Sequence, residues 1–133
     1  MDHIKGSQNQ IDWKHFLKSG DRIFIGSNAA VPNALMDQLI DEQASALNDI
    51  EVVHILTLGE NHWAQKQYQD TFTLNTLFLG QGTREAVHEG YADYTPCFLS
   101  EIPSLFHDKT LPIDVALISV SPPDPHGYCS LGV

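Results

Sequence analysis

Short β-type runs that alternate with helical stretches constrain this chain more than any other feature. Arg22-Ile23-Phe24-Ile25, Glu51 to Leu56 (EVVHIL), Thr71 to Leu79 and Ile113 to Val120 (IDVALISV) read as strands. The continuous apolar middle of EVVHIL suits a strand covered on both faces, as in a parallel sheet. Between the strands lie helical patterns. Asp12 is placed to cap a short helix with Trp13, Phe16 and Leu17 on one face. Pro32 opens a second helix, because proline is tolerated in a first turn, and Leu35, Leu39 and Ile40 give that helix its apolar period. Thr83 is the expected cap of a helix from Arg84 to about Gly90, and Ser100 of one reaching Phe106, with Glu101 and Pro103 in its first turn. Thr57 to Gln69 reads as a long excursion, and Tyr94-Thr95-Pro96 as a short extended piece. Alternating strands and helices predict a mainly parallel open α/β sheet flanked by helices, built from βαβ units.

The length, 133 residues with 42% hydrophobic side chains, is that of one globular domain able to bury its own core. The opening MDHIKGSQNQIDW has no apolar core of a signal peptide, and no apolar run is long enough to span a bilayer. The expectation is a soluble, cytoplasmic protein. Acidic residues outnumber basic ones by 17 to 7, a formal charge of −10, which disfavours a nucleic-acid surface. The two cysteines, Cys97 and Cys129, form no CxxC and read as reduced thiols. The seven histidines are scattered, without the HxxxH or HExxH spacing of a helical metal site.

In parallel α/β sheets ligands sit in the loops at the carboxyl ends of strands, which singles out two segments. The first is Gly26-Ser27-Asn28-Ala29-Ala30-Val31-Pro32. Small side chains there let a ligand approach the backbone, and the helix N-terminus that follows favours an anion or an acyl oxygen. The segment is neither a GxGxxG fingerprint nor a Walker A loop, whose lysine is missing. Read as structure alone, it is a βα turn of small residues. The second is Ser121-Pro122-Pro123-Asp124-Pro125-His126-Gly127-Tyr128, stiffened by three prolines, with Gly127 free to take a positive φ. Asp124 and His126 are candidates for an acid–base pair; the structural alternative is a turn in which Asp124 bonds its own backbone. Weaker candidates are Glu60-Asn61-His62-Trp63 and Arg84, each also readable as solvated surface. Ser130 and Cys129 have no evident base partner.

The ordered segments DRIFIGSNAAVPNAL, VVHILTLGE, NTLFLGQGTREAVHEGYADYTPCFLSEIPSLF and IDVALISVSPPDPHGYCSLG resemble the N-terminal region of the acetyl-CoA hydrolase/transferase family, which includes the 4-hydroxybutyrate and butyryl-CoA:acetate CoA-transferases. They cover nearly all of the chain after Asp21. The loop GSNAAVP resembles the family's glycine-rich turn, with Ala29 and Ala30 where glycine is often found. The resemblance implies a NagB/RpiA-like fold. It implies transfer of CoA from an acyl-CoA to a short carboxylic acid or to water, through attack of a glutamate on the thioester. That glutamate, with the glycine-rich CoA segment, is expected in a C-terminal domain absent from this chain. No catalytic residue is therefore expected here, and the fragment alone is expected to be inactive. CoA thioester enters as substrate, with no permanently bound cofactor. Gly26, Ser27, Asn28 and Pro32 would line the acyl or carboxylate pocket, and Pro123, Asp124, His126 and Gly127 would shape the loop facing it. A free-standing module that binds CoA or a small acid without turnover is the alternative, and an unrelated nucleotide-binding domain a third. A parallel sheet cut short has an open edge, so self-association, as a dimer, is expected.

Overall fold

The computed structural model describes residues 11–43, 46–58 and 61–131. Five strands form one all-parallel sheet: β1 (Arg22–Ile25), β2 (Ile50–His54), β3 (Phe72–Thr76), β4 (Ala92–Tyr94) and β5 (Val115–Leu117). Their spatial order is β4-β3-β2-β1-β5. The helices are α1 (Trp13–Phe16), α2 (Asn33–Gln43), α3 (Gln81–Glu89) and α4 (Ile102–His107). The expected long excursion after β2 contains two 3₁₀ turns, His62–Ala64 and Lys66–Tyr68.

Alternation along each strand sends side chains to two faces. Ile23, Ile25, Val52 and Leu74 face Trp13, Leu17, Met36, Leu39, Trp63 and Ala86, and this larger core carries most of the burial. Each such fully buried aliphatic side chain contributes about 1.5–3 kcal/mol. The other face is thinner: Val53 and Leu77 pack with Ile102 and Leu111, and the Phe24 and Phe106 rings meet edge-on at 5.4 Å. Polar groups fill the rest of that face in a chain of hydrogen bonds. Thr95 Oγ1 donates to Asn75 Oδ1 (2.8 Å), and Asn75 Nδ2 donates to Glu51 Oε1 (2.7 Å). Arg22 donates from Nε and Nη2 to Glu51 Oε2, each at 2.5 Å, and from Nη1 to the Pro112 carbonyl at 3.1 Å. One of the two arginines is thus committed to tying the strands together.

Several local expectations change. Asp12 makes no capping bond, and α1 is a single turn held by the burial of Trp13. The third helix starts two residues before the cap expected of Thr83. Gly80 is its N-cap, and Thr83 is buried inside its first turn with Oγ1 facing the Gly80 carbonyl at 3.4 Å. Its other end follows expectation: Gly90 takes φ 81° and its N–H bonds back into the helix. Ser100 lies within a 3₁₀ turn, Leu99–Glu101, that runs into α4, and Glu101 instead accepts from the Phe98 N–H at 2.9 Å. The run Ile113–Val120 forms only a three-residue edge strand, and Ile118 and Val120 are 44% and 47% exposed. Its apolar alternation reports side-chain chemistry, while strand length requires a partner to pair with, and among the described residues β5 has one only on the β1 side.

Candidate functional site at the sheet's switch point

The chain lays down β2, β3 and β4 successively outward from β1, then crosses back to place β5 on β1's other side. The order reverses between β1 and β5, where parallel α/β sheets open a crevice beyond their carboxyl ends. Both loops singled out from the sequence begin there. The Gly26 N–H donates to the Leu117 carbonyl at 3.0 Å, so the loops leave the sheet side by side.

The first loop then crosses to β2. Ser27 Oγ accepts the Ile55 N–H at 3.2 Å, and the Asn28 N–H donates to the Leu56 carbonyl at 2.7 Å. Asn28 also forms an isolated parallel bridge with Thr57 and holds φ at 54°, a left-handed conformation that asparagine tolerates better than most residues. The Ala30 N–H closes a turn onto the Ser27 carbonyl at 3.1 Å. A Cβ on Gly26 would lie 2.7 Å from the Ala30 carbonyl oxygen, so Gly26 admits the chain's own backbone rather than a ligand. Pro32 is buried, and its carbonyl accepts from the Leu35 and Met36 N–H groups at 3.0 and 3.1 Å, which starts α2. Asn28 and Ala29 are exposed at the mouth.

The second loop is closed on itself. Asp124 Oδ1 accepts the N–H groups of His126 (2.8 Å) and Tyr128 (2.9 Å), and the Gly127 N–H donates to the Asp124 carbonyl with Gly127 at φ 86°. Ser121 and Ser130 seal its stem: the Ser121 N–H donates to the Ser130 carbonyl at 2.7 Å, and the Ser130 N–H to Ser121 Oγ at 2.9 Å. The Asp124 carboxylate therefore organises backbone and makes no acid–base pair with the His126 ring. Pro123, Asp124, His126 and Gly127 are brought together in this one exposed turn, and Gly26, Ser27, Asn28 and Pro32 in the other loop.

Sequence reasoning passed over what stands behind the first loop. His54, the last residue of β2, is completely buried, and neither ring nitrogen has a hydrogen-bond partner among the described residues. Its ring meets that of buried Trp63 edge-on at 5.4 Å. Burial lowers its pKa to about 4, so the ring is neutral near neutral pH. Thr57 Oγ1 is likewise buried without a partner. A histidine inside an apolar strand run was the available signal. Of the weaker candidates, Arg84 is exposed on α3, Asn61 is half-buried, and Glu60 lies outside the described residues. Burial, and then Glu101, raise the Cys97 pKa, which keeps that thiol protonated. No group of three or more metal-ligating side chains occurs among the described residues. Shallow depressions around Lys14 and Asp114, and around Asp70 and Tyr91, involve none of the loop residues.

This parallel α/β domain thus sends both loops out from the β1–β5 side of its sheet. The chain belongs to the acetyl-CoA hydrolase/transferase family: residues 9–133 match the model of that family's N-terminal domain. It is 42% identical over 117 residues to a 4-hydroxybutyrate coenzyme A transferase of Clostridium kluyveri, covering 88% of this chain and 27% of that protein. It is 47% identical over 118 residues to a succinyl-CoA:acetate/propanoyl-CoA:succinate CoA transferase of Fasciola hepatica, covering 88% and 24%. Among solved structures, RipA from Yersinia pestis matches with a TM-score of 0.80 at 26% identity, over 88% of this chain and 29% of that one. A 4-hydroxybutyrate CoA-transferase from Porphyromonas gingivalis matches with a TM-score of 0.61 at 28% identity, over 91% and 26%. The chain thus spans about a quarter of the length of the curated relatives it matches. No helix among the described residues is long and apolar enough to cross a membrane.

Proposed function

We propose that this chain is a single α/β domain forming one wall of an acyl-CoA and carboxylate site in a cytoplasmic CoA-transferase or acetyl-CoA hydrolase. The observation that supports the reading is that both loops leave the sheet on its β1–β5 side, where the Gly26 N–H binds the Leu117 carbonyl at the end of β5. In this reading Gly26, Ser27, Asn28 and Pro32 shape the acyl or carboxylate side, and Pro123, Asp124, His126 and Gly127 hold the facing turn. The glutamate that attacks the thioester, forming a glutamyl-CoA thioester and releasing the carboxylate, comes from a C-terminal domain. The active protein is a homodimer. The relatives' activities, CoA transfer among short acyl groups, indicate the substrate class.

The test is an assay of CoA transfer from acetyl-CoA to short carboxylic acids, made with a full-length enzyme that carries this segment. Transfer lowered by Ser27→Ala and by Asp124→Ala supports the wall. Unchanged turnover in both variants sinks it.

A further inference from the structure

We propose that His54 is a pH-sensitive latch: taking up a proton frees the carboxyl end of β2 and with it the Gly26–Pro32 loop. The inference concerns a buried group that the proposed chemistry does not use, and it rests on that reading only for the importance of the loop.

The geometry supplies each link. His54 is completely buried with both ring nitrogens unpartnered. A neutral imidazole offers one donor and one acceptor, so the site satisfies neither, and an imidazolium would bring two unsatisfied donors and a charge. The next two residues along the chain are the ones that hold the loop. The Ile55 N–H binds Ser27 Oγ, and the Leu56 carbonyl binds the Asn28 N–H. One residue further, Thr57 bridges Asn28. On the strand's other side, the Leu77 N–H is bound to the His54 carbonyl at 2.9 Å. A proton on the ring requires water to reach it. Trp63 rests against the ring, and the hydrogen bonds that follow His54 along the chain are those to Ser27 and Asn28.

No described charge stands ready to stabilise the imidazolium in place. On α2, which flanks this face, Asp37 and Asp41 are exposed and Glu42 is half-buried, with Glu42 Oε1 accepting from Gln38. On the 3₁₀ turn that carries Trp63, His62 is exposed, and on α3, whose Ala86 joins the same core, Arg84, Glu85, His88 and Glu89 are exposed. On β1 and β2, Arg22 and Glu51 pair with each other on the opposite face, and β3 carries no ionisable residue. The lowered pKa of about 4 has burial as its cause, in agreement with that inventory.

The sign follows from linkage. The closed form binds a proton at about pH 4, whereas an opened form binds it near the ordinary histidine value of about 6.5. Acidification from about pH 7 to about pH 5 therefore raises the open population roughly twentyfold, and the effect saturates below about pH 4.

The experiment is residue-resolved amide hydrogen exchange on the 133-residue chain across that pH range, corrected for intrinsic rates. Expected is an opening equilibrium at Asn28 and Ile55 that rises roughly twentyfold toward acid, while Val52 and Ile23 stay protected. His54→Leu, which cannot titrate, abolishes the rise. The latch is overturned if Asn28 and Ile55 lose protection only together with Val52 and Ile23, or if the rise persists in His54→Leu. Should that variant fail to fold, the wild-type order of opening decides on its own, and His54→Gln provides a second non-titrating side chain. The transfer assay on the full-length enzyme is independent: transfer without a latch refutes this inference alone, and a latch without transfer refutes the proposed function alone.

Discussion

Alanine at position 26 would force a methyl group to within 2.7 Å of the Ala30 carbonyl oxygen. Ordinary C···O contacts begin at about 3.3 Å, so the carbonyl must retreat by roughly half an ångström or more. It is poorly placed to do so. The Ala30 N–H is bound to Ser27, Ser27 is bound to β2, and Pro32 is buried two residues on. Overpacking of this kind costs about 1–3 kcal/mol. Loss of glycine's freedom in the unfolded chain offsets about 0.4–1 kcal/mol. A net destabilisation of about 1–2 kcal/mol remains. With an unfolding entropy of about 2.1 cal/mol/K per residue, that lowers Tm by roughly 4–7 °C in a chain of 133 residues. The assay is thermal unfolding followed by circular dichroism, with Gly80→Ala as the comparison. A Cβ on Gly80 would meet Leu56 Cδ1 at 2.5 Å, but that atom is the end of a flexible side chain, so the loss should be smaller. A Gly26→Ala protein that melts with or above the wild type would show that the loop relaxes freely, and the account of Gly26 as a backbone-packing residue would fail.

Other outcomes follow from the same structure. Glu51→Leu strands the Arg22 guanidinium and the Asn75 amide, and should cost about 1–3 kcal/mol in urea unfolding, with the m-value unchanged. Trp63→Ala removes a buried ring from the main core and the wall against which His54 rests; a loss of about 3–5 kcal/mol is expected by the same measurement. Asp124→Ala releases the His126 and Tyr128 N–H groups in an exposed turn, so global stability should change by less than about 1 kcal/mol while those two amides lose their exchange protection. Retained protection there would contradict the turn's dependence on the carboxylate.

Much of this protein was legible from local pattern. Strands β1, β2 and β3, the helix after Pro32, the Gly90 terminus and the stiff turn around Asp124 all follow from periodicity and turn chemistry, which act within a few residues. The two loops were also found locally, because small residues and prolines after a strand are a local signal. Their common position on the β1–β5 side of the sheet was not. It depends on the crossover that sets β5 beside β1, and strand order is a long-range property that no window of sequence contains. Tertiary structure likewise decided that Ile113–Val120 pairs for only three residues, since a strand is as long as its neighbour allows. It assigned Gly26 to its own backbone and the Asp124 carboxylate to turn closure. It also placed an unpartnered histidine behind the first loop: sequence shows the side chain, but burial and hydrogen-bond partners exist only once distant segments have packed around it.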